Sequence, residues 1–428
     1  MRILVYPHDL GVGGSQLNAI EIGAAVRDLG HEVVVFAEPG PLQTRVLDLG
    51  LDYIAAPLAR VRPSPTTIWS LRRTIAERRI DVVHAYEWPP AINSWIAVSG
   101  SRAKALATVM SMSVAPFLPR TMPLVVGTRE IAAREQRSGR RDISVLEPPV
   151  DVAHDDARTF SDVAGLRRSF GLSPASIAVV AVSRLAHELK LEGLLTAIEV
   201  VPRMGADIQL LIVGDGPARL PVERAAGATN DALRREAVIL AGEMADPRPA
   251  YAVADVTLAM GGSALRAMSF AKPVVVQGEL GFWRALDETS VEHFLWHGWY
   301  GLGAGPETGA AALTTELHPL LSDVQRRRRL GALGRQLAEM RFSLDRAAQR
   351  QLFRYQAVCS APTHSPAVSV HEVGRAFAAY VGHAGARKWG RLRGTTGRDD
   401  FNAAKPRLRA RKPSAPLLSN AGSTHEES

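Results

Sequence analysis

Cysteine is almost absent: the 428 residues contain only Cys359. That excludes an internal disulfide framework or thiolate zinc site and fits a reducing compartment. Long apolar runs are missing too, and none reaches membrane-spanning length. The first run, Arg2–Tyr6, stops at Pro7 and is too short for a secretory apolar region. The expected location is cytoplasmic, with at most a peripheral contact on the inner membrane face. Excess charge is scarce outside one segment. Residues 386–412 hold ten Lys or Arg against two Asp, which accounts for the whole formal charge of +8, so the remainder is near neutral. Aromatics make up 6%, hydrophobic residues 46% and charged residues 22%, as in a soluble globular chain. The length suits two domains and a tail.

What is present alternates in period. Arg2–Tyr6, Glu32–Phe36 and Asp81–Ala85 are apolar strand-like runs, with Leu106–Met110, Leu124–Val126 and Ile143–Leu146 after them. A helix begins at Ser15. This alternation predicts a parallel sheet covered on both faces. The pair Pro148-Pro149 breaks it. A second α/β repeat follows, with strands at Ser176–Ser183, Gln209–Val213, Ala237–Leu240, Val256–Ala259 and Pro273–Gln277, and a helix over Leu191–Val200. The expected division is 1–150, 151–341, a closing helix over 342–360, and a mostly disordered basic tail over 361–428 with a helix around Val370–Tyr380.

Chemistry-bearing residues gather behind the predicted strands. Arg184 and Lys190 follow Ser176–Ser183. Fixed cations there can stabilise charge developing on a departing diphosphate, Arg as a fork and Lys as a point charge. Gly214-Asp215-Gly216-Pro217 is the next strand-to-helix turn. Gly261-Gly262-Ser263 opens a helix, whose free N–H groups suit phosphate. Gly11-Val12-Gly13-Gly14 resembles a dinucleotide fingerprint poorly, because four residues separate it from the strand and Gln16 stands where a third small residue belongs. His8 and His84 stand near strand ends.

In this order and spacing, Val182–Lys190, Leu210–Pro217, Tyr251–Asp255, Gly261–Met268 and Lys272–Val276 resemble the C-terminal half of retaining, nucleotide-sugar-dependent glycosyltransferases of family 4. The resemblance implies the GT-B architecture: two facing Rossmann-like, doubly wound α/β domains, with the last helix returning to the first. It implies a hexosyltransferase-like enzyme that moves a sugar from a nucleoside diphosphate sugar to an acceptor hydroxyl. No cofactor or metal is implied, because Arg184 and Lys190 stand in for one. Gly214, Gly216, Gly261, Gly262, Ser263, Arg266 and Glu279 would line the donor site. Gly13, Gly14 and His84 would shape the acceptor side. The acceptor is open: a lipid, a polysaccharide, a protein or a small natural product. The tail could touch anionic lipid electrostatically, and no nucleic-acid partner is expected.

The chain departs from the family in one region. Relatives carry two glutamates eight positions apart, the second associated with the ribose; here Leu258 and Arg266 occupy those places. Glu279 is a candidate substitute, and Arg266 would add a cation or pair with Glu279. Two rivals follow: a degenerate protein that binds nucleotide sugar or a partner without turnover, and a sugar-nucleotide epimerase on the same fold.

Overall fold

The computed structural model describes residues 1–305, 307–362 and 366–392. Apolar runs with no polar alternation must be covered on both faces, and they are. The first sheet holds β1 (Arg2–Tyr6), β2 (Glu32–Ala37), β3 (Asp52–Ala55), β4 (Val82–Tyr86), β5 (Lys104–Val109), β6 (Leu124–Val126) and β7 (Ile143–Val145). Its order is β3-β2-β1-β4-β5-β6-β7, all pairs parallel. The second holds β8 (Ile177–Val182), β9 (Ile208–Val213), β10 (Val238–Gly242), β11 (Val256–Ala259), β12 (Val274–Gln277) and β13 (Trp283–Ala285), ordered β10-β9-β8-β11-β12-β13. Only β13 runs antiparallel.

Helices cover both sheets: α1 (Gly14–Asp28), α2 (Gln43–Asp48), α3 (Pro65–Glu77), α4 (Trp88–Val98) and α5 (Arg129–Arg137) around the first. Around the second lie α6 (Val163–Ser169), α7 (Leu191–Val200), α8 (Arg219–Leu233), α9 (Arg248–Val253), α10 (Gly262–Ser269), α11 (Val291–His297), α12 (Gly309–Ser322) and α13 (Val324–Leu337). After them, α14 (Leu344–Ser360) crosses back and packs on α1, burying Ala347, Ala348, Tyr355 and Val358 in the first core. The crossing is pinned by Val150 bridging Ser343 and by Glu147 pairing with Arg341. A second link joins the halves on the far side, where His297 Nδ1 lies 2.7 Å from Glu130 Oε2.

Residues 366–392, expected to be mostly disordered apart from a helix around Val370–Tyr380, form α15 (Pro366–Leu392), which includes that helix and extends it at both ends. The reason is packing that composition does not display. Buried Glu372 accepts from Arg120 N at 2.6 Å and pairs with Arg375, whose guanidinium also donates to the carbonyls of Pro116 and Leu118. Tyr380 meets Phe117 edge-on, with centroids 5.3 Å apart. The basic tail beyond Leu392 lies outside the described residues.

Candidate functional site

Both sheets reverse winding once, and ligands of such sheets lie at the carboxyl ends of the strands beside that reversal. In the second sheet the reversal lies between β8 and β11. Arg184 and Lys190 leave β8; Gly261, Gly262 and Ser263 leave β11. The chain therefore sets two cations and a helix start on loops leaving adjacent parallel strands.

The segment after β8 is held by its neighbours' backbone. Leu185 N donates to Asp215 O at 2.9 Å, and Ala218 N donates to Leu185 O at 2.8 Å. Gly214 and Gly216, at φ 141° and 153°, make this possible. A Cβ on Gly214 would lie 2.0 Å from Ser183 O, and one on Gly216 would lie 2.5 Å from Leu185 O. These glycines hold the cation-bearing segment in place. On the other side, Gln277 Nε2 donates to Leu189 O and Leu280 N donates to Glu192 Oε2, drawing the turn after β12 against the start of α7.

Arg184 is exposed and Lys190 half-buried. Among the described residues neither side chain has a hydrogen-bond or ion-pair partner. Burial without a counter-charge pushes the Lys190 amine down to about 8. An uncompensated ammonium half out of water is poised for an anion.

At α10 the backbone turns through Gly261 (φ 62°), and nothing lies within 4 Å of a Cβ on Gly261 or Gly262. The approach to this helix start is open. Ser263 Oγ donates to Met260 O and accepts from Met260 N, so it closes the turn rather than capping the helix's free N–H groups. Leu258 is buried in β11. Arg266 does not pair with Glu279: its Nε donates to buried Asp155 at 2.8 Å. Glu279 instead accepts from the Tyr300 hydroxyl. Across the cleft, Glu21 on α1 pairs with Arg45; burial raises its carboxyl, and Arg266 and Arg45 oppose that rise.

In the first sheet the reversal lies between β1 and β4. The glycine-rich loop leaves β1, with Gly13 extended as the residue before α1 and Gly14 open around its Cα. Asp9 Oδ1 steadies the loop by accepting from Gly11 N and Gln16 Nε2. His84 is not in the cleft. It is fully buried, with Nδ1 2.6 Å from the Tyr355 hydroxyl and Nε2 2.6 Å from Thr108 Oγ1. Burial lowers it to about 3, so it is a neutral core residue that ties α14 to β4 and β5. His8 lies at the cleft end of β1, against Arg62.

Glu87, which motif reading passed over, occupies this crevice. It sits at φ 67° and ψ 171°, a region nearly reserved for glycine. Its carboxylate accepts from Ser15 Oγ at 3.2 Å, Met110 N at 2.9 Å and Ser111 Oγ at 2.7 Å, and burial raises its pKa. One signal could have found it: Pro89 and Pro90 open α4, which makes Glu87 the residue at the strand-to-helix corner.

Among the described residues no His/Cys/Asp/Glu group has the arrangement to hold a metal ion, and no helix is long and apolar enough to cross a membrane.

Two family models match the chain: a glycosyl transferase 4-like domain over residues 13–180 and glycosyl transferases group 1 over 176–296. A phosphatidyl-myo-inositol mannosyltransferase of Mycolicibacterium smegmatis is 27% identical over 266 residues, 57% of this chain. A 2-deoxystreptamine glucosyltransferase of Streptomyces kanamyceticus is 31% identical over 160 residues, 35% of this chain. The chain spans 64% and 40% of those relatives' own lengths. Among solved structures, a Rickettsia africae glycosyltransferase superposes with a TM-score of 0.69 at 16% identity, over 84% of this chain and 99% of that one. Anabaena HepE in complex with UDP gives 0.67 at 17% identity, over 83% and 100%. At such identities the structural likeness speaks for the fold alone.

Proposed function

The chain belongs to the family-4-like glycosyltransferases of the GT-B architecture, and from that premise we propose that it transfers a hexose from a nucleoside diphosphate sugar to an acceptor hydroxyl with retention at the anomeric carbon. The observation that carries this is the pair Arg184 and Lys190: two cations without counter-charges among the described residues, beside the winding reversal of the second sheet, on a loop leaving the strand next to the one that leads into the open start of α10.

In this reading the diphosphate lies between the cations and the N–H groups of α10. As the bond from anomeric carbon to phosphate oxygen breaks, charge grows on the leaving oxygens and both cations take it up without reorganising. The acceptor attacks from the same face, and its proton passes to the departing phosphate, so no protein nucleophile is needed. Glu279, fixed beside the start of α7, is the candidate for the ribose hydroxyls. Gly13, Gly14 and Glu87 would form the acceptor side, and Glu21 and Arg266 would face each other across the cleft.

Anabaena HepE, which shares the fold, is seen in complex with UDP and with UDP-glucose, so UDP comes first among the nucleotides to test, beside GDP, ADP and dTDP. Calorimetric binding of one of them, lost in Lys190→Ala, supports the donor site. Release of that diphosphate from its sugar only when acceptor is present supports transfer. A second reading, binding without turnover, draws on buried Leu258 and on Arg266 tied to Asp155. Nucleotide binding with no release in any acceptor screen would favour it.

A further inference from the structure

The apolar side chains left on the surface are unevenly distributed. Val373 (51% exposed), Phe377 (68%) and Val381 (52%) stand at i, i+4 and i+8 along α15, a single row on its outer side. Leu58 (71%) and Val61 (62%) are exposed in the loop before α3, which the Tyr380 hydroxyl ties to α15 by donating to the Arg62 carbonyl. Exposed large apolar side chains elsewhere, among them Phe353 (73%), Trp69 (66%) and Leu280 (65%), stand on separate elements, whereas three share one face of α15.

Charge selects the occupant. Exposed Arg60 and Arg62 lie in the loop before α3 and exposed Lys388 lies on α15, and neither residues 56–64 nor residues 373–389 contain an Asp or Glu. Lys388 continues the row of Phe377 and Val381, seven positions after Val381. The inner side of α15 is occupied by Glu372, Arg375 and Tyr380, which fasten it to the first domain. An apolar row rimmed by cations on a helix anchored from behind has the chemistry of an interfacial helix.

We propose that the outer face of α15, with the loop before α3, docks on an anionic lipid bilayer. The surface adjoins the carboxyl edge of the first sheet, because α15 touches Trp88, just after β4, and Phe117, after β5. Docking would set the crevice holding Glu87 at the lipid headgroups. The inference rests on α15 and not on the transfer reading, and it differs from tail-only attraction because it assigns binding to apolar residues.

The test is co-sedimentation of the full chain with phosphatidylcholine vesicles and with mixed phosphatidylcholine–phosphatidylglycerol vesicles, for wild type, Phe377→Ser/Val381→Ser and Lys388→Glu. Both variants change exposed residues, and an unshifted melting temperature checks the fold. Wild type should bind mixed vesicles at least ~10-fold more tightly than neutral ones, the double variant should lose ~10-fold or more, and Lys388→Glu a few-fold. Equal binding by wild type and the double variant overturns the proposal, as does no binding to mixed vesicles. A dimer in sedimentation velocity that the double variant abolishes, without vesicle binding, overturns it in favour of a second copy. UDP calorimetry on the same samples reports the donor site separately, so either reading can fail alone.

Discussion

The two winding reversals of this molecule are built alike and finished differently. Each is flanked by loops leaving adjacent parallel strands, β1 and β4 in one sheet, β8 and β11 in the other. The first is satisfied from within: Glu87 takes three hydrogen bonds, one of them from Ser15 at the start of α1 across the crevice. Nearby, His84 shares both ring nitrogens with protein hydroxyls. The second leaves Arg184 and Lys190 without partners among the described residues and the start of α10 open. A polar group already satisfied gains little from a ligand, whereas a desolvated cation gains a partner for a cost already met by folding. Under the proposed function the second reversal is the anion site and the first a shaped, prearranged wall.

The largest effect should come from breaking the unsatisfied side. Lys190→Ala should lower turnover ~100–1000-fold and nucleotide affinity ~10-fold or more, read by product release and calorimetry. If both stay within a factor of two, the cations are not the diphosphate site.

Next comes the scaffold beneath them. Gly214→Ala places a Cβ against Ser183 O at a backbone angle that alanine avoids, and should cost ~2–4 kcal/mol by denaturant unfolding. Since Ser183 precedes Arg184, weaker nucleotide binding should accompany the loss. An unchanged midpoint would show that the 183–186 segment yields freely.

The pH response sharpens the contrast. The free-state amine of Lys190 sits at about 8, and an anion needs it protonated. Affinity should therefore be full below about 8 and weaken as pH rises through it, by up to ~10-fold per pH unit. Lys190→Arg should bind without that fall, because guanidinium does not titrate there. A pH-independent affinity in wild type would remove Lys190 from the contact.

The smallest effect belongs to the satisfied side. Glu87→Gln keeps the shape and removes the charge. It should leave nucleotide affinity within about twofold while slowing transfer a few-fold. A matching loss of nucleotide affinity would mean the two crevices are not separable.

Much of this was legible in order of residues. Parallel strands buried on both faces read as unbroken apolar runs, so both sheets were visible. Arg184, Lys190 and Gly261–Ser263 were expected just past strand ends, and the structure has them there, after β8 and β11. His84 misled because it also stands near a strand end, and its partner Tyr355 arrives 271 residues later on α14. Arg266 misled because Asp155, which precedes it by 111 residues, claims it before Glu279 can. Glu87 left only the signal of Pro89 and Pro90 after it, since its backbone angle is imposed by the corner into α4. A helix around Val370–Tyr380 was expected but not its extension over Pro366–Leu392, because a run of Ala, Gly and Arg does not reveal that Glu372 and Tyr380 have partners on the first domain.

The order of residues by itself determined the two α/β repeats, the break at Pro148-Pro149 and the places where chemistry gathers, because periodicity, turn residues and strand ends are local properties of the chain. Only the tertiary structure decided which polar groups are already paired. Pairing depends on which distant segments the packed core brings within hydrogen-bond reach, and a group's chemistry follows from whether that partner is protein or is still to come.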